Sequence, residues 1–137
     1  MSGRVSLALR VLVRDRAHGR CEYCLIRDED VLAPHEPDHI IAEQHGGQAD
    51  ANNLAYACAQ CNRYKGSNIA SLDPETRERV FLFHPREDEW SDHFRLEGAL
   101  VVALTAKGRA TVALLKINSA LRTGDRELLS LAGTYPG

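Results

Sequence analysis

The apolar positions near the N-terminus suit two kinds of element. Residues 6–18 carry apolar side chains at spacings that suit a helix, with Ser6 as its cap and Gly19 at its end. The alternation of apolar residues between Val5 and Val13 also suits a strand. The pattern favours the helix and leaves the strand as the alternative.

Shorter apolar runs follow in the middle of the chain, separated by turn-forming residues. Residues 38–41 form one strand-like run, and residues 54–57 form a second one after a loop rich in Gly, Asp and Asn. A helix is predicted over residues 61–68, and another is predicted to start at Asp73, where Asp-Pro-Glu is typical of a helix start. The middle of the chain therefore predicts two strands followed by helices.

The C-terminal part predicts a hairpin and a last helix. Residues 97–103 and 109–115 are apolar with β-branched side chains, and Thr-Ala-Lys-Gly lies between them. The final helix is predicted to start at a cap on Asn118 or Ser119 and to extend to Leu131. The elements together predict a small α+β fold.

Composition narrows the class of protein. The chain has 137 residues, of which 44% are hydrophobic and 26% charged, so it is expected to fold as a single domain over residues 1–137. Its longest apolar stretch, residues 98–106, is far shorter than the roughly 20 residues of a membrane span. Arginines interrupt the N-terminal apolar run and no small-residue cleavage site follows, which predicts a cytoplasmic protein.

The net charge of −2 conceals a separation of charge along the chain. Residues 1–20 carry five arginines and one aspartate, whereas residues 21–60 carry one arginine and eight acidic residues. This distribution excludes a uniformly basic coat for nucleic acid. It is compatible with an acidic segment that binds a cation and basic flanks that bind phosphates.

The four cysteines form two C-x2-C pairs, Cys21 with Cys24 and Cys58 with Cys61. Each pair offers two sulfurs that converge on one point, and tetrahedral zinc takes four such ligands. A site with four protein ligands has no open position, so this zinc is predicted to be structural. The alternatives are a redox pair or separate buried thiols.

A second pattern of polar residues lies between and just after the cysteine pairs. In chain order it reads Asp38-His39-Ile40-Ile41, Gly46-Gly47, Asn53-Leu54 and Asn62-x2-Lys65-Gly66. With the cysteines, this pattern over residues 18–68 resembles the HNH endonucleases, the ββα-metal nucleases, in their zinc-stapled four-cysteine form. The resemblance implies a ββα nuclease core over residues 18–68, with residues 69–137 as an extension packed on it.

The resemblance also implies roles for individual residues. Asp38 and Asn62 would bind one catalytic Mg²⁺ or Mn²⁺, and His39 would be the general base, oriented by Asn53. Histidine suits this role because a free imidazole titrates near pH 6.5. The implied reaction is hydrolysis of DNA to 5′-phosphate and 3′-hydroxyl ends. Two alternatives stay open, namely that Asp38 only forms a cap or a turn and that Asn62 only caps a helix.

Contacts with the substrate are predicted from the basic residues. Arg63 and Lys65 are candidates for phosphate binding near the start of the predicted helix. Further attraction is expected from the N-terminal arginines, which are Arg4, Arg10, Arg14, Arg16 and Arg20. DNA is the expected partner, RNA is the alternative, and any targeting would come from a protein partner. The competing interpretation of function is a non-catalytic, zinc-stabilised module that binds nucleic acid or serves as an adaptor.

Overall fold

The N-terminal segment is a helix. A computed structural model describes residues 4–137, and its first element is α1 (Leu7–Arg16). The Ser6 hydroxyl caps this helix by accepting a hydrogen bond from the Leu9 amide at 3.2 Å. The chain leaves the helix through positive φ angles at His18 and Gly19. The helix prediction is confirmed, and the alternative strand is wrong.

The central segment forms a ββα unit. Strand β1 (Glu36–His39) pairs antiparallel with β2 (Leu54–Ala57), and helix α2 (Ala59–Lys65) follows directly. The second strand has the predicted bounds. The first begins and ends two residues earlier than predicted, so that His39 is its last residue, and α2 likewise begins two residues early.

Two further hairpins and three helices complete the fold. In chain order they are β3 (Ala70–Leu72), β4 (Arg79–Phe81), α3 (Trp90–His93), β5 (Phe94–Glu97), β6 (Leu100–Ala103), α4 (Ala106–Leu114) and α5 (Ala120–Leu131). Strands β3 and β4 pair antiparallel, as do β5 and β6. The last helix is confirmed, with Ser119 as its cap. Single 3-10 turns occupy Asp28–Asp30, Glu43–His45 and Ala51–Asn53.

The predicted hairpin between residues 97–103 and 109–115 is wrong. Residues 97–103 contain a turn at Gly98, where φ is +60°, and the hairpin instead joins β5 to β6. Residues 109–115 belong to α4 and its end, and Thr105 caps that helix by accepting a hydrogen bond from the Gly108 amide at 3.0 Å. The residues expected to form the hairpin turn therefore start a helix.

The predicted helix start at Asp73 is also wrong. Asp73 lies in the turn between β3 and β4, where its carboxylate accepts hydrogen bonds from the Glu75 amide and the Thr76 hydroxyl. The same side-chain acceptor that caps a helix can instead close a turn, and here it does so.

The main buried cluster combines both halves of the chain. It contains the four cysteines together with Phe83, Phe94, Val101, Leu115 and Ile117. Hydrogen bonds from Trp90 Nε1 to the Tyr23 carbonyl and from the Tyr135 hydroxyl to the Cys24 carbonyl join the same segments. Residues 69–137 thus pack directly on the segment that carries the cysteines.

None of the helices found within residues 4–137 is both long enough and apolar enough to cross a lipid bilayer.

The ion pair between Asp73 and Arg109 predicts a dependence of stability on pH. Arg109 donates to both Asp73 oxygens, at 2.9 and 2.8 Å, and these bonds hold the pKa of Asp73 well below its usual range. A carboxylate with a lowered pKa stabilises the fold above its ordinary pKa of about 3.9 and loses this contribution as the pH falls through the lower folded value. Asp73→Asn is therefore expected to lower the urea midpoint clearly at pH 7 and much less near pH 2.

The control for this measurement is Asp125→Asn, which changes an exposed carboxylate on α5. An equal loss of stability for Asp73→Asn at both pH values would contradict the assignment.

Candidate functional site

The four cysteine sulfurs converge on one point in the core. Their Sγ atoms all lie within 4.8 Å of one another, and the four side chains are buried and free of disulfides. The Sγ atoms of Cys24 and Cys58 are 3.7 Å apart. Tetrahedral zinc with bonds of about 2.3 Å separates its sulfurs by about 3.8 Å, whereas a disulfide needs about 2.05 Å. The cluster therefore fits one zinc ion and does not fit a disulfide.

Backbone amides surround the sulfurs. The amides of Tyr23 and Cys24 donate to Cys21 Sγ at 3.4 and 3.5 Å, and the amide of Cys61 donates to Cys58 Sγ at 3.4 Å. Such donors stabilise thiolates, which are the form that binds a metal. All four cysteines lie in this one cluster, so the alternative of separate buried thiols is wrong.

A buried arginine reaches the cluster from α5. Arg122 Nη2 donates to Cys61 Sγ at 3.0 Å and lies 3.6 Å from Cys58 Sγ, while its Nη1 donates to the Leu115 carbonyl. Burial alone would lower the pKa of Arg122, but the charges of the Cys61 and Cys24 thiolates raise it. The sequence analysis missed this residue because no motif connects it to cysteines some 60 positions earlier.

The predicted general base and the two predicted metal ligands line a second site, which is an open pocket of about 410 Å³ at the end of β1. Asp38, His39 and Asn62 all line it. Glu43 and Ser67, which the sequence analysis did not single out, line it as well. The ββα unit thus brings together three residues that the pattern had predicted to act together.

Two polar atoms beside this pocket have no hydrogen-bond partner among the described residues. They are Asp38 Oδ2 and His39 Nε2, and both are buried, but Oδ2 forms an ion pair with the Lys65 ammonium at 3.2 Å. Burial raises the pKa of Asp38, and the nearby Lys65 ammonium opposes this effect. Because the Lys65 ammonium already balances the charge on this oxygen, the ring nitrogen is the atom for which a bound water is the suitable partner.

Asn53 fixes the loop that follows His39. Its Oδ1 accepts a hydrogen bond from the Ile41 amide, and its Nδ2 donates to the carbonyls of Ile41 and Gln48, each at 2.9 Å. A Cβ on Gly47 would lie 1.7 Å from the Ile41 carbonyl oxygen, which explains a glycine there. Asn53 therefore anchors the backbone two residues after His39, and these bonds go to the loop instead of the imidazole.

Tyr23 is a further buried residue close to this site. Its hydroxyl has no hydrogen-bond partner among the described residues, and its side chain is 1% exposed. Burial and the charge of Asp38 together raise the pKa of Tyr23 well above its usual value. Tyr23 lies between Cys21 and Cys24, so a residue within the first cysteine pair also experiences the charge of Asp38.

Helix α2 carries four of the predicted site residues in different surroundings, namely Cys61, Asn62, Arg63 and Lys65. Cys58 is the cap of this helix, so the alternative that Asn62 serves only as its cap is wrong. Arg63 is exposed, as a phosphate contact needs to be. Lys65 is only 2% exposed and donates to the carbonyls of His39 and Ile40. Lys65 is therefore not placed to meet a phosphate.

Several of the N-terminal arginines have partners within the protein. Arg10 pairs with Glu36 and Arg14 pairs with Asp28, each at 2.8 Å. Arg16 donates to two backbone carbonyls, those of residues 51 and 54. The basic flank expected from the sequence is thus partly neutralised within the fold.

The first prediction from this site concerns the metal. Native protein is expected to contain one zinc per chain by elemental analysis, and Cys58→Ser is expected to lose zinc and to unfold at a lower temperature. Binding of structural zinc contributes on the order of 10–16 kcal/mol to the folding of small zinc peptides, so the loss of one ligand is costly. A Cys58→Ser protein as stable as its parent would exclude a structural zinc.

The second prediction concerns Arg122. Arg122→Met removes the donor to Cys61 Sγ, so zinc is expected to pass to a chelator faster than from the parent. The matched control is Arg126→Met, since Arg126 is equally buried on the same helix but donates to the carbonyls of Ala99 and Ile117. Equal release rates for the two variants would show that Arg122 acts only through packing.

Comparison with known families matches part of this chain. Residues 21–68 match the family model described as HNH endonuclease, a segment that holds both cysteine pairs and the residues of the ββα pocket. Comparisons with curated proteins and with solved structures gave no significant match. Residues 21–68 of this α+β chain are therefore an HNH domain built around a four-cysteine cluster.

Proposed function

We propose that the protein is a metal-dependent endonuclease that hydrolyses phosphodiester bonds of DNA. The observation that carries this proposal is the shared pocket of Asp38, His39 and Asn62 within the segment that matches the HNH family. A carboxylate, an amide and a ring nitrogen without a hydrogen-bond partner on one open pocket suit hydrolysis better than a purely structural role.

The donor atoms in the pocket fit a hard divalent cation. Asp38 offers a carboxylate oxygen and Asn62 an amide oxygen, and Mg²⁺ or Mn²⁺ commonly binds to few protein oxygens while water and phosphate complete its shell. A metal held by these two residues would stabilise negative charge on the oxygen that leaves phosphorus. This cation is separate from the zinc of the cysteine cluster.

His39 is the proposed general base. Its imidazole takes a proton from a water molecule whose oxygen attacks phosphorus. The bond from phosphorus to the 3′-oxygen breaks, and a solvent water supplies the proton for this leaving oxygen. The products are a 5′-phosphate and a 3′-hydroxyl. Asn53 supports this step from a distance, because its three hydrogen bonds hold the loop that begins after His39.

The proposed substrate is DNA bound weakly and with little preference for sequence. Arg63 is exposed and follows Asn62 on α2, whereas three of the N-terminal arginines have partners within the protein. Few free phosphate contacts imply a shallow dependence of affinity on salt, since each contact contributes about 0.9 to the logarithmic slope. RNA cleavage is an outcome that the same assay can distinguish.

The proposal predicts cleavage of supercoiled plasmid with Mg²⁺ or Mn²⁺ that EDTA abolishes. His39→Ala is expected to reduce the rate by about 10²–10⁴-fold, as is typical for loss of a general base, while zinc content and fold stay unchanged. His45→Ala is the matched control, because His45 lies exposed in the loop after the same strand. Near-parental cleavage by His39→Ala would assign the base to another residue.

Asp38→Asn separates the metal ligand from the base. This variant is expected to need a higher Mg²⁺ concentration for half-maximal cleavage, because an amide binds the cation more weakly than a carboxylate. Protein that binds DNA but cleaves neither DNA nor RNA with any divalent metal would favour the non-catalytic module instead.

A further inference from the structure

A buried ammonium lies behind the predicted metal ligand. Lys65 is 2% exposed, and its Nζ lies 3.2 Å from Asp38 Oδ2, 3.2 Å from the His39 carbonyl oxygen and 3.2 Å from the Ile40 carbonyl oxygen. An ammonium has three N–H groups, and three oxygens surround this one. The ammonium therefore faces protein oxygens and is too deeply buried to contact a phosphate in the pocket.

The position of Lys65 on its helix explains how it reaches this place. Cys61 and Lys65 are four residues apart on α2, so they share one face of the helix, and both are buried. Asn62 lies on a different face and lines the pocket. One face of α2 thus carries a cysteine ligand and the ammonium, and the next face carries the amide.

Lys65 contacts one of the two carboxylate oxygens of Asp38. Oδ2 is fully buried against the ammonium, so Oδ1 is the oxygen left for a cation in the pocket. The two carbonyl contacts hold the end of β1 at the residues on either side of the peptide bond between His39 and Ile40. A single side chain therefore holds the carboxylate of Asp38 and the backbone that carries the His39 imidazole.

We infer that Lys65 is a positioning residue that fixes Asp38 through Oδ2 and the end of β1 through two carbonyls, and that it does not bind phosphate. In its catalytic part this inference rests on the proposed function. Its structural part, the ion pair of Lys65 with Asp38, can be tested without any cleavage.

The first experiment separates positioning from phosphate binding. Binding of a 20-base-pair DNA duplex is measured for the parent, Lys65→Met and Arg63→Met in Ca²⁺, over a series of salt concentrations. Lys65→Met is expected to keep the parental affinity and salt slope. Arg63→Met, which removes an exposed charge two positions earlier on the same helix, is expected to bind more weakly, with a slope smaller by about 0.9. A smaller salt slope for Lys65→Met would overturn the inference.

The second experiment measures cleavage with Mg²⁺ for the same proteins. Lys65→Met is expected to lower kcat by about 10²-fold with KM unchanged, because a displacement of about 1 Å at reacting groups has this effect. Arg63→Met is expected to raise KM instead. An unchanged kcat for Lys65→Met, in a parent that cleaves, would also overturn the inference.

The third experiment measures unfolding by urea for the parent, Asp38→Asn, Lys65→Met and the double variant. Because Lys65 and Asp38 pair in the fold, the double variant is expected to lose less free energy of unfolding than the two single variants lose in sum. Where Lys65→Met does not fold, Lys65→Gln keeps donors without the charge and completes the cycle. Additive losses would overturn the ion pair. A parent that shows this coupling but cleaves no nucleic acid would refute the proposed function and leave the position of Lys65 established.

Discussion

The convergence of four cysteine sulfurs is the constraint on which the rest of this structure depends. Two turns that are 33 residues apart in sequence meet within 4.8 Å, and the second turn is also the start of α2. Because Cys58 caps that helix and Cys61 lies in its first turn, the cluster determines where α2 lies against β1. The same helix then brings Asn62 to the pocket and Lys65 behind Asp38. The geometry of the candidate active site is therefore a consequence of the cysteine cluster.

Buried cations connect this cluster to the rest of the chain. Arg122 reaches the sulfurs from α5, and Lys65 reaches Asp38 from α2. Removing one partner of a buried ion pair typically costs about 3–5 kcal/mol, because the other charge then stays buried alone. The C-terminal helix is thus held in place by the thiolates, and the thiolates are stabilised by the helix. Loss of the metal is expected to loosen α5 as well as the pocket.

Local signals in the sequence predicted the elements that local interactions decide. Ser6 and Ser119 cap helices as expected, and the second strand has its predicted bounds because the polar loop before it ends at Asn53. The failures occur where local patterns are ambiguous. An apolar segment such as 109–115 suits a strand or a helix equally. Its expected partner, residues 97–103, instead contains β6, and β6 pairs with β5. At Asp73, both a cap and a turn use the same carboxylate acceptor.

The sequence could not reveal which charged side chains near the site are buried and paired and which are exposed. Arg63 and Lys65 are two residues apart in one basic helix end, and nothing in their spacing separates a surface cation from a buried one. The difference lies in what each side chain meets across from the helix. Lys65 faces the carboxylate of Asp38 and two carbonyls at and just after the end of β1, whereas Arg63 faces solvent. Arg14 and Arg16 likewise face Asp28 and backbone carbonyls. A count of basic residues therefore overstates the charge available to a polyanion, because several of these cations are already paired within the fold. The exposed Arg63, next to Asn62 on α2, is the better candidate for attracting it.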